Sequence, residues 1–273
     1  MKRFMLTLVA ATGFLVDAAS AQWIVAHRGA SYDAPENTLA SVREAVKQGA
    51  DGIEMDYYLS SDGKIICIHD KDTQRTAGEK LEVSKTPFDK LRSLDVGSWK
   101  DKRWSDEKIP TLDEVLAAMP PGTKPVIELK IGPEIVKPMA NVIARSSISP
   151  EDVIIISFDA ATIAECERLV PQYRTHWLCG YKEHDDGRVT PMAKDILASM
   201  KRSHADGFGS QAKPDHFDAK FIEELRVGGC DEFHVWTVDD AKTARFYQDL
   251  GAKWITTNRP GRLREQLGIS KQN

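Results

Sequence analysis

The chain has 273 residues, four cysteines and a formal charge of −4, from 37 Lys and Arg against 41 Asp and Glu. An acidic chain argues against non-specific nucleic-acid binding, and any phosphate site in it would have to be built locally from a few cations and a metal. No CxxC spacing occurs among Cys67, Cys166, Cys179 and Cys230, which sets a zinc site aside and leaves buried thiols or one structural bridge.

The first stretch reads as a secretory leader over residues 1–21. Lys2 and Arg3 precede an apolar run from Phe4 to Val16, and Ala19-Ser20-Ala21 offers small residues for cleavage before Gln22. The run is shorter than the roughly 20 residues that span a bilayer. An exported product, periplasmic or secreted and without stable membrane insertion, is expected. The remainder is the size of one α/β barrel.

Strand and helix signals then alternate. Apolar β-type runs occur at Trp23–Ala26, Gly52–Leu59, Lys64–Ile68, Pro125–Leu129, Val153–Phe158, Arg174–Cys179, Asp206–Gly209, Phe233–Val238 and Trp254–Thr257. Leu39, Val42 and Val46 recur at helical spacing and stop at Gly49. Thr111 with Glu114 forms a capping-box pattern opening a helix over Leu112–Met119. Asp159, Asp218 and Asp239 stand where further helices can begin. Repeated strand–helix units give a parallel sheet covered by helices.

Nine strand signals are one too many for an eight-stranded barrel, and Ser61-Asp62-Gly63-Lys64 resolves the surplus. Asp-Gly between apolar runs is a hairpin signal, so Lys64–Ile68 folds back antiparallel on Gly52–Leu59. Eight parallel strands remain, and the predicted fold is a TIM (β/α)8 barrel. A two-residue loop at Asp62-Gly63 faces Ser61 with Lys64 and puts Asp56 opposite His69; a bulge would shift the register by one and turn His69 away. Residues 71–110 are polar and broken by Gly and Pro, and read as an insertion over the barrel mouth.

Alternation places the chemistry. Glu54 and Asp56 share one face of their strand, and Glu128 and Lys130 share a face of another. Carboxylates in a central strand must be paired or bind metal, and oxygen ligands suit Ca²⁺ or Mg²⁺. His27 ends the first strand, Gly29 lets the chain turn after it, and His69 ends the hairpin, so two imidazoles can move protons at one acidic cluster. Arg28 and Lys130 are the phosphate contacts. His234 and Trp236 share a face, and Trp236 is a candidate wall of the cavity. His184 falls in the charged stretch 182–188, read as a loop; His176, His204 and His216 have no visible partners.

At these residues the chain resembles the glycerophosphodiester phosphodiesterase family. The likeness rests on His27-Arg28-Gly29, Pro35–Thr38, Gly49–Asp70, Ile109–Leu112, Ile127–Lys130, Ser157-Phe158, Val235–Thr237 and Thr257–Pro260. It implies a TIM barrel with an insertion at 71–110 and one divalent cation, Ca²⁺ or Mg²⁺, on Glu54, Asp56 and Glu128. It also implies His27 and His69 as an acid–base pair; His27 is taken as base and His69 as acid, an order the sequence itself does not fix. The expected reaction releases glycerol 3-phosphate and an alcohol from a small glycerophosphodiester. Two alternatives stay open: a phospholipase D-like enzyme on lysophospholipids or sphingomyelin, and a non-catalytic barrel that binds phosphorylated ligands. The oligomeric state stays open as well.

Overall fold

The computed structural model describes residues 22–269, so the leader assigned to 1–21 lies outside the described residues. Its first half runs β1 (Trp23–His27), α1 (Leu39–Lys47), β2 (Gly52–Leu59), β3 (Ile65–Cys67), α2 (Gln74–Ala77), α3 (Phe88–Arg92), α4 (Leu112–Ala118), β4 (Lys124–Leu129), α5 (Val136–Ile143) and β5 (Ile154–Ser157). The second half continues α6 (Ala160–Leu169), β6 (Arg174–Cys179), β7 (Lys182–Glu183), β8 (Val189–Thr190), α7 (Ala193–Ser203), β9 (Gly207–Gln211), α8 (Ala219–Val227), β10 (Phe233–Trp236), α9 (Ala241–Asp249), β11 (Trp254–Thr257) and α10 (Pro260–Leu267).

Eight of these strands are parallel, in the order β1-β11-β10-β9-β6-β5-β4-β2, and β2 pairs back with β1 to close a TIM barrel. Side chains alternate across its wall. Outward residues such as Ile53, Met55, Ile127 and Ile155 pack against Val42, Leu112, Val115 and Met139 of the helices. Val25, Val126, Ile154, Ile156, Leu178 and Trp254 form a separate cluster inside the barrel. Among the described residues no helix is long and apolar enough to cross a membrane. All four cysteines are buried free thiols.

Three local expectations are corrected. β3 does run antiparallel to β2, but Tyr57 pairs with Cys67 and Leu59 with Ile65, one residue away from the expected register. Gly63 adopts φ +78° and its N–H bonds Ser60 O at 3.0 Å, so the loop has three residues and the pair that closes it is Ser60 and Lys64. Asp56 therefore faces Ile68, whose N–H bonds Asp56 O at 3.0 Å, and not His69. α9 is capped by Asp240 rather than Asp239. The stretch 182–188 is a loop only from His184 onward: Lys182–Glu183 form β7, which pairs with β8 beyond the loop in a small hairpin.

The insertion has a core of its own. Val83, Leu91, Val96 and Ile109 pack with Ile66 and Ile68 of the β3 segment. It is fastened to the hairpin turn by Ser61 N–H to Thr86 O at 3.0 Å and Phe88 N–H to Asp62 Oδ1 at 3.0 Å, and to α1 by Ala40 N–H to Glu107 Oε2 at 3.1 Å.

Two histidines sit deep in the barrel. His176 and His234 face each other Nδ1 to Nδ1 at 2.9 Å, His176 Nε2 meets Glu232 Oε1 at 3.0 Å, and His234 stacks on Trp254 with ring centroids 4.2 Å apart. Glycines make the room: a Cβ on Gly209 would lie 2.3 Å from His234 Cε1, and one on Gly207 2.7 Å from His176 Nε2. His176 thus has partners that its sequence neighbourhood does not reveal.

Burial holds both imidazoles below the usual histidine range, and for His234 the neighbouring His176 adds to the effect. The unfolded chain therefore binds more protons than the native one, so stability is full above about pH 6.5 and falls as pH drops below it. A histidine kept neutral in the fold costs up to about 2 kcal/mol at pH 5. Urea midpoints measured from pH 8 to pH 5 are expected to fall, and to fall less steeply in His234→Gln.

Candidate active site

The catalytic end of such a barrel is the C-terminal end of its strands, and there the first three strand signals bring their polar residues together. His27 is the last residue of β1. Arg28 and Gly29 follow at φ +54° and +76°, a sharp left-handed turn, and a Cβ on Gly29 would lie 2.3 Å from Ser41 Oγ. The turn aims Arg28 N–H at Glu54 Oε2, 2.8 Å away. Asn37, also left-handed at φ +57°, clasps Asp56 twice: its Nδ2 donates to Asp56 Oδ2 at 2.8 Å and its Oδ1 accepts Asp56 N–H at 3.1 Å.

Glu54, Asp56 and Glu128 each present one oxygen within 4.8 Å of the others, and none is more than 8 % exposed. Two cations compensate. Lys130 Nζ lies 2.6 Å from Glu128 Oε1 and 3.2 Å from Asp56 Oδ1; Arg28 Nε lies 3.4 Å from Asp56 Oδ2. Two cations do not suffice for three buried acids. Burial would raise Asp56, but Lys130 and Arg28 hold it down at about 2. Burial and the Asp56 charge push Glu128 up to about 7. Burial, with the charges of Asp56 and Glu128, drives Glu54 well above the carboxylate range, and its Oε1 has no hydrogen-bond partner among the described residues. An all-oxygen donor set with one orphaned oxygen and unrelieved repulsion fits a hard divalent cation.

The two imidazoles are oriented differently. His27 Nδ1 lies 2.8 Å from Asn258 Oδ1. Asn258 Nδ2 donates to Asp239 Oδ2 at 2.7 Å, so Asn258 Oδ1 is an acceptor, and Ser31 Oγ also donates to it at 2.9 Å. His27 must therefore carry its proton on Nδ1, leaving Nε2 with a lone pair. Burial, and then Arg28, bring its pKa down to about 4, so the ring is neutral. His69 lies beyond the end of β3, where the chain bends, and its Nδ1 meets Asp70 Oδ1 at 2.7 Å. This bend brings His69 to the site, even though the strand pairing does not.

His27, Arg28, Glu54, His69, Glu128, Lys130 and Trp236 line one cavity of about 270 Å³, and Asp56 lies against it through Arg28 and Lys130. Ile156, Phe158, Leu178 and Trp236 make its other wall apolar. Phe158 meets Trp236 edge-on with ring centroids 5.5 Å apart, and the buried Trp236 Nε1 has no acceptor among the described residues. All eight site residues expected from the sequence are thus gathered in one place. His204 and His216 are not in the cavity lining. Sequence reasoning missed Asn37, Asn258, Asp239, Glu36 and Arg75 as supports. Glu36 and Asn37 fall in Pro35–Thr38 and Asn258 in Thr257–Pro260, stretches that carry the family likeness but assign these residues no role, and Asp239 has the look of a helix cap.

The sequence model of the glycerophosphoryl diester phosphodiesterase family matches residues 27–262. The chain belongs to this family. A glycerophosphodiester phosphodiesterase of Caldanaerobacter subterraneus is 34 % identical over 251 residues, which cover 88 % of this chain and 95 % of that one. The crystal structure of a glycerophosphodiester phosphodiesterase from Agrobacterium tumefaciens superposes with a TM-score of 0.72 at 27 % identity, covering 89 % of this chain and 99 % of that one. The fold is shared as well with an Oleispira antarctica phosphodiesterase, solved with its product sn-glycerol 3-phosphate, at a TM-score of 0.78, 24 % identity and coverage of 90 % and 96 %.

Burying Glu54, Asp56 and Glu128 together costs stability. Glu54→Gln keeps an acceptor for Arg28 N–H and removes one charge from the trio. In EDTA the variant is expected to melt about 2–4 °C higher, or about 1 kcal/mol. A carboxyl with a raised folded pKa loses stability as pH rises, so the gain should grow from pH 5 to pH 8. Scanning calorimetry at both pH values checks it.

Proposed function

We propose that this chain hydrolyses small glycerophosphodiesters to glycerol 3-phosphate and an alcohol, with His27 as general base and His69 as general acid. One observation carries the reading. Two imidazoles with differently supported Nδ1 atoms line one cavity beside three convergent carboxylates and two cations. Membership of the family and the name of the Caldanaerobacter relative supply the substrate class.

Glu54, Asp56 and Glu128 are the residues that would hold a Ca²⁺ or Mg²⁺ ion, which when bound neutralises the phosphate and polarises phosphorus. The other steps belong to this chain's own groups. His27 Nε2 takes the proton of the attacking oxygen, which is water, or the glycerol 2-hydroxyl, in which case a cyclic phosphate forms and water then opens it to glycerol 3-phosphate. His69 Nε2–H gives a proton to the departing alkoxide. Arg28 and Lys130 bind phosphate oxygens. The unpaired Trp236 indole N–H, on the apolar wall, donates to a substrate hydroxyl, and Phe158 shields the same side from water. With the leader removed, the exported chain would begin at Gln22.

His27→Ala and His69→Ala are each expected to lower kcat on glycerophosphocholine by about 10³-fold with unchanged circular dichroism. EDTA should abolish turnover, and Ca²⁺ or Mg²⁺ should restore it. Near-normal rates in both variants would end the two-histidine scheme, and full activity after chelation would end the metal role. Faster turnover of lysophosphatidylcholine than of glycerophosphocholine would favour the phospholipase D-like alternative.

A further inference from the structure

A chain of charged hydrogen bonds runs from His69 to Arg28, and the acid–base scheme by itself does not call for it. Asp70 uses one oxygen for His69 Nδ1 and gives the other to Arg75 Nε at 2.7 Å. Arg75 sends Nη1 and Nη2 to the two oxygens of Glu36, each at 2.8 Å. Glu36 Oε1 also accepts from Arg28 Nη1 at 3.0 Å. Asp70, Arg75, Glu36 and Arg28 thus alternate in sign, and every link is short.

Arg75 is the foreign member of this chain. It comes from α2, within the inserted residues, whereas His69, Asp70, Glu36 and Arg28 precede the insertion. The backbone that presents it is fixed: Ala77 N–H bonds Thr73 O at 2.9 Å, and Gly78, at φ +74°, closes the turn onto Gln74 O at 3.0 Å. The Arg75 side chain is 43 % exposed. Ion pairs so open to water add little to stability, so holding the fold together is a poor account of a three-bond fork. The fork's geometric effect is larger. Asp70 is one-third exposed and sits at a bend; with Arg75 on its second oxygen, its first is held against His69. On the far side, Glu36 is held in both directions and fixes the guanidinium of Arg28.

We infer that Arg75 and Glu36 are positioning residues that join the imidazole of His69 and the guanidinium of Arg28 into one unit, so that the insertion completes the leaving-group side of the cavity. The inference rests on His69 being the general acid. A lysine at position 75 would keep the charge but cannot bond Asp70 and both oxygens of Glu36 in one plane.

The test varies the leaving group. A choline alkoxide needs a proton to depart; p-nitrophenolate does not. Rates of Arg75→Ala, Arg75→Lys and His69→Ala are compared on glycerophosphocholine and on the p-nitrophenyl diester of glycerol 3-phosphate, with the divalent cation saturating. His69→Ala should lose about 10³-fold on the choline diester and about 10-fold or less on the aryl diester. Arg75→Ala should follow the same pattern, with kcat down about 10–100-fold on the choline diester, a loss of about 3-fold or less on the aryl diester, and little change in KM. Arg75→Lys should not restore the choline rate, and it carries the same comparison if the alanine variant does not fold. An equal loss on both substrates, or an unchanged choline rate, in the Arg75 variants would overturn the inference alone. A His69→Ala variant that shows no leaving-group preference would overturn the acid assignment, and this inference with it.

Discussion

Three carboxylates confined to one water-poor corner of the barrel set the terms for everything around them. Coulomb repulsion at such distances is severe in a low-dielectric surrounding, and burial alone already penalises each charge. Lys130 and Arg28 answer part of the charge, Asn37 fixes the most strongly ionised acid from both directions, and the remaining imbalance falls on Glu54 and Glu128. The left-handed residues Arg28 and Asn37 follow from this requirement. A backbone that turned in the ordinary way after β1 would not bring an N–H to Glu54 or an amide to Asp56.

The cavity divides into two halves with different origins. The ionic half comes from β1, β2, β4 and the hairpin end; the apolar half comes from β5, β6 and β10. Below both, the barrel interior is filled partly by imidazoles and an indole, with glycines of β9 making way for them. His234 also reaches the cavity wall, but it and His176 are fully buried and partner each other, whereas His27 and His69 are partly exposed and held by Asn258 and Asp70, which separates two packing histidines from the two proposed to move protons.

Much of this was legible in the chain. Alternation along β2 and β4 placed Glu54, Asp56, Glu128 and Lys130 correctly, because a strand's two-residue period leaves little freedom. The Asp-Gly signal found the hairpin but not its register, since a three-residue loop with Gly63 left-handed contains the same Asp62-Gly63 pair and only adds Ser61. His69 reached the cavity through a bend after Cys67, a feature with no periodic signature. The supports were the least visible. Asn258 lies 231 positions from His27, and Asp239, Glu36 and Arg75 act through contacts between segments that no local pattern relates.

The seam of the barrel lies between its first and last strands, and the asparagine that settles the tautomer of His27 follows the last of them. A ribosome delivers β1 before every other strand of the barrel and Asn258 only after the last of them. Until then the growing polypeptide holds nearly the whole set of reactive groups, but the ring on β1 has no partner on its inner nitrogen and β1 has one open edge. The arrangement around His27 is thus completed only once β11 and the residue after it have been made, and fragments ending before β11 would carry the cavity's ionic groups without this alignment.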